Sequence, residues 1–239
     1  DIASEAGADA IKFQTFSAES LVHEMAKKAD YQIKTKKDIE TQYQMLKRLE
    51  LNHKEFSRIF KYCKKRKIEF MSTAFDIKSL NFLTNKLKVK KLKIASGDIT
   101  DSPLLFAHAK TKKNIFLSTG MSDVDDIEKA LKVLSLGFID FPKRKISKEI
   151  HKDILNSIEI KKILKEKVTL LHCVSQYPAP FNEINLKSLE YLRKKFKLSI
   201  GYSDHSRGIS VPIAAVALGA TVIEKHFTIN KNLSGPDHK

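Results

Sequence analysis

The feature of this sequence that most constrains its fold is a regular alternation of short apolar runs with longer amphipathic segments. The apolar runs favour β-strands, and the segments between them carry the 3.6-residue apolar period of surface helices. Seven strands are predicted, at residues 10–16, 69–75, 91–96, 114–119, 168–174, 198–204 and 221–228. Strand–helix alternation of this kind predicts a parallel sheet covered by helices.

The number of strands indicates which parallel fold the chain adopts. Seven predicted strands, most of them separated by one helix, are one short of a (β/α)8 TIM barrel. Residues 1–10 resemble the end of a helix, and the chain stops after NLSGPDHK, without a helix to cover an eighth strand. We therefore expect an α/β protein, a TIM barrel truncated at both ends that lacks its first strand and last helix. A doubly wound open sheet is the alternative.

We expect residues 1–239 to form a single barrel domain with one irregular segment. Residues 137–167 exceed an ordinary helix-to-strand connection. They predict an insertion with its own helical stretch, rather than a second domain.

The strongly basic composition gives little support to a nucleic-acid partner. The formal net charge is +16, but only six of the 44 basic residues are arginine, the side chain that most often reads bases. The lysines fall mostly along predicted helical faces and connections, which indicates a solvated surface. The apolar runs are all shorter than the roughly 20 residues of a membrane span. The two cysteines form neither a metal motif nor a disulfide framework, so we expect a cytoplasmic protein.

Polar side chains gather at the predicted carboxyl ends of the strands, the edge where TIM barrels build active sites. These residues are Lys12, Gln14, Thr15, Ser72, Thr73, Asp76, Ser96, Asp98, Ser118, Thr119, Ser175, Gln176, Tyr177, Ser203, Asp204, His205, Glu224, Lys225 and His226. A helix cap or a hydrogen-bonded core residue would explain any one of them. Their recurrence on successive strands predicts a polar pocket.

The side chains of this pocket indicate an anion and a metal as its ligands. Ser96 and Thr119 each precede a glycine, so hydroxyl and exposed backbone N–H groups are available to phosphate or carboxylate oxygens, and Lys12 adds positive charge. His205 and His226 could ligate one divalent metal, for which imidazole favours manganese, cobalt or zinc over magnesium. The sequence has no CxxC, HExxH, P-loop or GxGxxG motif to support a redox cofactor or a nucleotide.

Nine sequence blocks resemble, in order, those of the sialic acid synthase family, which includes N-acetylneuraminate and N,N′-diacetyllegionaminate synthases. The blocks are GADAIKFQTF, YQMLKRLEL, FMSTAFD, KIASGD, LSTGMS, HCVSQYP, GYSDHSRG, EKHFTIN and GPDHK. The resemblance implies a PEP-dependent transferase that forms a C–C bond. Such an enzyme condenses phosphoenolpyruvate (PEP) with an N-acetylmannosamine-type sugar aldehyde and releases phosphate.

The resemblance also implies roles for individual residues. His205 and His226 match the protein ligands of a divalent metal, usually Mn²⁺. The remaining matches are to catalytic or substrate-site positions: Lys12, Gln14 and Tyr177 as catalytic, and Ser96, Ser118, Ser175 and Ser203 as substrate-binding. Ser175 matches a position that is Asn in some N-acetylneuraminate synthases. Together with residues 29–32 and 137–167, it favours the legionaminate branch.

Two parts of the family's architecture are expected to lie outside this sequence. They are a catalytic Glu before residue 1 and a C-terminal antifreeze-like domain after residue 239. In the family's dimers that domain reaches over the partner's active site. We therefore expect a homodimer in the full-length form, with no nucleic acid or membrane as a partner.

Two other functions remain open from the residues. One is a different metal-dependent barrel enzyme, such as an aldolase or a 3-deoxy-heptulosonate-type synthase. The other is a non-catalytic protein that binds a sugar or an anion.

Overall fold

The computed structural model describes residues 1–28, 32, 40–141, 154–233 and 238. It divides into two compact units, the first comprising Asp1–Val89 with Phe227–Lys239, and the second Lys90–His226. Within the described residues, no helix has the length and apolar character needed to cross a membrane.

The first unit is built from two parallel strands and the helices around them. The strands are β1 (Ala10–Thr15) and β2 (Glu69–Ala74). The helices are α1 (Ile2–Glu5), α2 (Ala18–Leu21), α3 (Gln42–Leu49), α4 (His53–Lys65) and α5 (Ile77–Asn81), the last continued by a π-helical turn at Phe82–Lys86. Capping boxes begin α3 at Thr41 and α4 at Asn52, which satisfies N–H groups that the helices leave without partners.

The second unit is a sheet of five parallel strands. They are β3 (Lys91–Ile94), β4 (Asn114–Ser118), β5 (Val168–Cys173), β6 (Ser199–Asp204) and β7 (Ile223–Lys225). The helices are α6 (Ser102–Lys110), α7 (Val124–Phe138), α8 (Ile158–Lys167), α9 (Lys187–Phe196) and α10 (Ser210–Ala217), with 3-10 turns at Ser96–Asp98, Ile154–Asn156 and Phe181–Glu183.

The order of these five strands distinguishes between the two predicted folds. Each strand pairs in parallel with the next one in the sequence, from β3 through β7. A doubly wound sheet reverses its strand order at a switch point, whereas a barrel keeps sequential order. The second unit therefore has the strand order of the barrel prediction.

One face of the second unit's sheet forms the apolar core under the helices. Ile94, Leu117, Leu170 and Ile200 are aligned partners across four strands, and each is at most 1% exposed. We call this side the core face. Because side chains alternate along a strand, this register fixes which residues lie on the opposite face.

Most of the predicted strands match the observed ones to within two residues at either end. The largest difference is at residues 221–228, where only Ile223–Lys225 are paired as a strand. The predicted insertion at 137–167 falls partly outside the described residues, because nothing is described between Phe141 and Ile154. The described part of it contains the end of α7 and all of α8, which leads directly into β5.

Candidate active site

The face opposite the core face of the second unit carries polar side chains on every strand. Strand register places these side chains on one face. Lys93 is aligned with Phe116, Ser118 with Leu171, Cys173 with Ser203, and Ser203 with Glu224, and residues two apart on a strand share a face. We call Lys93, Ser118, Cys173, Ser203 and Glu224 the polar face. Polar groups buried in this way are costly unless they are hydrogen-bonded or face a ligand.

Lys93 and Glu224 place opposite charges on the polar face. The Lys93 side chain is 4% exposed, and its Nζ lies 3.7 Å from Glu224 Oε1 and donates to the Ile94 carbonyl at 3.1 Å. The Ser203 hydroxyl donates to the same Glu224 oxygen at 2.9 Å. A buried ammonium needs such partners, and the surrounding low dielectric strengthens its electrostatic interactions with them. Lys93 therefore supplies a fixed positive charge to the site.

Asp204 belongs to the core face and has a structural role. Its Oδ1 accepts hydrogen bonds from the backbone N–H of Ser206 at 2.9 Å and from the Ser206 hydroxyl at 2.7 Å. Its Oδ2 lies 2.5 Å from Lys225 Nζ, and that ammonium also donates to the Ser206 carbonyl. These bonds fix the turn that carries His205. Glu224, by contrast, faces the site.

Three small side chains crowd around Gly120. Its backbone N–H donates to Ser96 Oγ at 3.0 Å, and Ser96 Oγ lies 3.1 Å from Cys173 Sγ. A Cβ at Gly120 would lie 2.3 Å from Ser175 Oγ and 2.7 Å from Cys173 Sγ. The loop after β4 therefore approaches the ends of β3 and β5 closely, and a Cβ at this position would force the neighbouring side chains to shift.

Ser118 has a buried hydroxyl without a protein partner. The residue is 2% exposed, and its Oγ forms no hydrogen bond with any residue that the structure describes. Because Ser118 lies on the polar face beside the Gly120 loop, its hydroxyl is available to a ligand there.

His205 and His226 come together at the same edge of the second unit. Their ring centroids are 5.4 Å apart, and the Tyr177 ring lies 4.0 Å from His205 and 5.3 Å from His226. His205 Nδ1 lies 2.5 Å from the Val174 carbonyl oxygen. A carbonyl only accepts, so Nδ1 carries the proton and Nε2 keeps its lone pair.

These two histidines fit a divalent metal. With metal–nitrogen distances of about 2.1 Å, two imidazoles bound at roughly tetrahedral angles have ring centroids about 5 Å apart, close to the observed separation. Burial is the main cause that holds the pKa of His205 below its usual range, which favours the neutral form that binds metals. Among the described residues no group of three or more His, Cys, Asp or Glu forms a candidate metal site. Two ligands would leave positions open for substrate and water.

Lys12 and Gln14 belong to the first unit. They lie on β1, aligned with Met71 and Thr73 of β2, and share one face as the alternation predicts. Lys12 is half-buried and Gln14 is exposed. Their roles at the site stay predictions.

Sequence reasoning identified most of these polar positions but missed Lys93 and Cys173. Both lie inside apolar strands, where nothing in the local sequence distinguishes a site residue from an ordinary strand residue. Strand alternation is the signal that could have found them. Lys93 is one residue from the core-face Ile94, and Cys173 is three residues from the core-face Leu170, so both side chains lie on the opposite face of the sheet.

The family to which the chain belongs is shown by comparison with known proteins. The model of the NeuB family matches residues 1–239, the whole of the sequence. The chain belongs to the NeuB family. This confirms the resemblance that the nine sequence blocks indicated.

Two curated relatives of the chain carry the same name. An N,N′-diacetyllegionaminic acid synthase of Campylobacter jejuni subsp. jejuni serotype O:2 is 47% identical over 239 residues, which are 100% of this chain and 64% of the relative. One of Legionella pneumophila subsp. pneumophila is 43% identical over 236 residues, covering 99% of this chain and 60% of the relative. The chain thus spans less than two thirds of either relative's length.

A solved structure supports the fold. The crystal structure of an N-acetylneuraminic acid synthetase from Leptospira borgpetersenii serovar Hardjo-bovis, in complex with citrate, matches with a TM-score of 0.75 and 34% identity. The match covers 99% of this chain and 68% of that one. It confirms the predicted α/β fold of the TIM-barrel class.

The close approach around Gly120 predicts the effect of adding one methyl group. We expect Gly120→Ala to lower the free energy of unfolding by about 1–3 kcal/mol, because the new Cβ overpacks against Ser175 and Cys173. Gly97→Ala is the matched control, since a Cβ there would have no neighbour within 4 Å. Urea denaturation of the full-length protein measures both. Equal stability of the two variants would contradict the crowded geometry.

Asp98 predicts a pH dependence of stability. Burial, with a smaller contribution from Asp101, raises the pKa of Asp98 to about 6, and Lys93 opposes the shift. The folded state thus holds a proton that the unfolded state releases near pH 4, so this contribution to stability is complete below about pH 4 and is lost as pH rises through 6. We expect Asp98→Asn to stabilise the protein at pH 8 by about 1–2 kcal/mol, after allowance for solvent screening of a half-buried carboxyl.

Denaturation of the Asp98→Asn variant and the wild-type protein between pH 5 and 8 checks this. The stability difference between the two proteins should grow from pH 5 to about pH 7 and then stay constant, because the Asp98 carboxyl is ionised in both states above that pH. A difference that does not change with pH would contradict the raised pKa.

Proposed function

We propose that this chain is the PEP-condensing part of a nonulosonic (sialic-type) acid synthase. It would join PEP to an N-acetylmannosamine-type sugar aldehyde and release phosphate. The observation that carries the proposal is the pairing of His205 and His226, 5.4 Å apart, in the same unit as a polar face that suits an anion. Membership in the NeuB family and the names of the two curated relatives support the same activity.

The metal of this reaction would be held by His205 and His226. A divalent ion there, Mn²⁺ being the ion that the family resemblance implies, would supply Lewis-acid polarisation of the sugar's aldehyde carbonyl. The Val174 carbonyl orients the His205 ring by accepting from its Nδ1. Tyr177 packs against both rings and limits their movement.

PEP would be held by the charge and hydroxyl groups of the second unit. Lys93 supplies a buried positive charge, and the hydroxyls of Ser96 and Ser118 are donors to phosphate or carboxylate oxygens. The Ser203 hydroxyl donates to Glu224 and holds that carboxylate beside Lys93. Groups held in place before the substrate arrives need no reorganisation during the reaction.

The reaction balances without any redox partner. C3 of PEP attacks the aldehyde carbon and forms the new C–C bond, while the aldehyde oxygen becomes a hydroxyl. Positive charge develops at C2, where water adds. The C–O bond to phosphate then breaks, which leaves the keto acid and free phosphate. We propose that the residues of the site hold both substrates in reacting geometry.

We place the chain in the N,N′-diacetyllegionaminate branch. The two relatives with this name are 47% and 43% identical to it. Ser175, where some N-acetylneuraminate synthases have Asn, lies beside Gly120 at the site and is a candidate contact for the sugar.

The architecture of the full-length enzyme is part of the same proposal. Residues 1–239 would form a single PEP-condensing TIM-barrel domain with 137–167 as an insertion, followed by a C-terminal antifreeze-like domain. The enzyme would work as a cytoplasmic homodimer. Lys12 and Gln14 are proposed to act on PEP and the sugar.

Phosphate release by the full-length protein tests the function. PEP and Mn²⁺ are supplied with N-acetylmannosamine, 2,4-diacetamido-2,4,6-trideoxymannose or a 2,4-diacetamido-altrose analogue. We expect release with the trideoxymannose, loss of it with EDTA, and a loss of more than about 100-fold in His205→Ala, because a metal ligand is removed. His53→Ala, an exposed histidine of the first unit, is the matched control and should keep full activity.

The other outcomes separate the remaining functions. Erythrose 4-phosphate is supplied in a fourth, separate reaction, and release with it alone would indicate a heptulosonate-type synthase. Binding of PEP or sugar that survives loss of both histidines, with no release, would indicate a non-catalytic binding protein.

A further inference from the structure

We propose that Cys173 is a positioning residue that orients the Ser96 hydroxyl toward PEP. This inference rests on the proposed function, since it concerns the anion that the same site would bind. Neither the nine sequence blocks nor the predicted roles assigned Cys173 a part in the chemistry. The contact between its thiol and Ser96 carries the proposal.

Ser96 Oγ is held from two sides. The Gly120 N–H donates to it at 3.0 Å, and Cys173 Sγ lies 3.1 Å away. Cys173 is 6% exposed and lies on the polar face, aligned with Ser203. The backbone of Cys173 is therefore held in the sheet, and its buried thiol and the Gly120 N–H both contact the Ser96 hydroxyl.

The two contacts leave the Ser96 hydroxyl proton free to bind a ligand. A serine hydroxyl has one proton to donate and two lone pairs that accept. Gly120 occupies one lone pair of Ser96 Oγ, and the Cys173 S–H can occupy the other. The Ser96 proton is then left for a third partner. The phosphate and carboxylate of PEP offer acceptors, so binding of PEP favours this arrangement over the reverse one, in which Ser96 donates to sulfur.

A second observation indicates that a ligand belongs here. Ser118 is 2% exposed, and its hydroxyl has no hydrogen-bond partner among the residues described. It lies on the same polar face as Cys173, one strand away. An oxyanion that accepts from Ser96 would give the Ser118 hydroxyl a partner as well.

The other cysteine provides a matched control. Cys63 is 5% exposed, close to the value for Cys173, but it lies on α4 in the first unit. Within the described part of the chain, it makes no hydrogen bond to a hydroxyl comparable with that of Cys173. Replacing it tests the cost of losing a buried thiol without touching Ser96.

The experiment measures steady-state kinetics and PEP binding in the full-length enzyme with Mn²⁺. We expect Cys173→Ala to raise the KM and the calorimetric Kd for PEP by about 3- to 10-fold, the effect of one lost hydrogen bond, with kcat changed less than about 2-fold. A higher KM with an unchanged kcat would mean that the lost hydrogen bond stabilises bound PEP and the transition state equally. Cys173→Ser should restore most of the affinity, because a hydroxyl can donate in the same place. Cys63→Ala should leave both constants unchanged.

A double-mutant cycle shows whether Cys173 acts through Ser96. In a Ser96→Ala background, Cys173→Ala should add no further loss of PEP affinity. A loss of the same size in both backgrounds would overturn the inference and indicate packing alone. An unchanged KM and Kd in Cys173→Ala would also overturn it.

Failure of this inference differs from failure of the proposed function. A wild-type enzyme that releases phosphate, with Cys173→Ala indistinguishable from it, contradicts only the role of Cys173. A wild-type protein that neither binds PEP nor releases phosphate with any of the sugars contradicts both.

Discussion

The parallel register of the second unit's five strands is the constraint on which the site depends. It aligns Ile94, Leu117, Leu170 and Ile200 on one face, where the helices bury them. Because side chains alternate, the same register places Lys93, Ser118, Cys173, Ser203 and Glu224 together on the other face. Burial of apolar side chains on the first face stabilises the sheet. This free energy offsets the cost of burying polar groups on the other face. A one-residue shift in the register of any strand would move that strand's side chains to the opposite face of the sheet.

The polar face is compensated only in part by the protein itself. Glu224 forms an ion pair with Lys93 and accepts a hydrogen bond from Ser203, and Asp204 with Lys225 and Ser206 fixes the turn that holds His205. The Ser118 hydroxyl, in contrast, lacks a partner within the described ranges. The Ser118 hydroxyl is therefore a group left for a ligand. Functional sites are where such locally unfavourable arrangements are expected.

Sequence reasoning recovered the fold because alternation of apolar runs and amphipathic segments is a local signal. It also singled out His205, His226 and the serines at the strand ends, since a polar residue after an apolar run stands out, and their roles at the site stay predictions. Lys93 and Cys173 were missed because their roles depend on register and on contacts between strands. The sequence placed Asp204 and Glu224 in the same predicted pocket for the same reason, since only strand pairing shows that their side chains lie on opposite faces.

The central claim is that His205 and His226 hold a metal beside this polar face. Electron paramagnetic resonance titration of the full-length protein with Mn²⁺ tests it most directly, independently of turnover. The account predicts one tight site per chain in the wild-type protein, and that site should be lost in His226→Ala and retained in His53→Ala. Tight Mn²⁺ binding that is unchanged in His226→Ala would contradict the account.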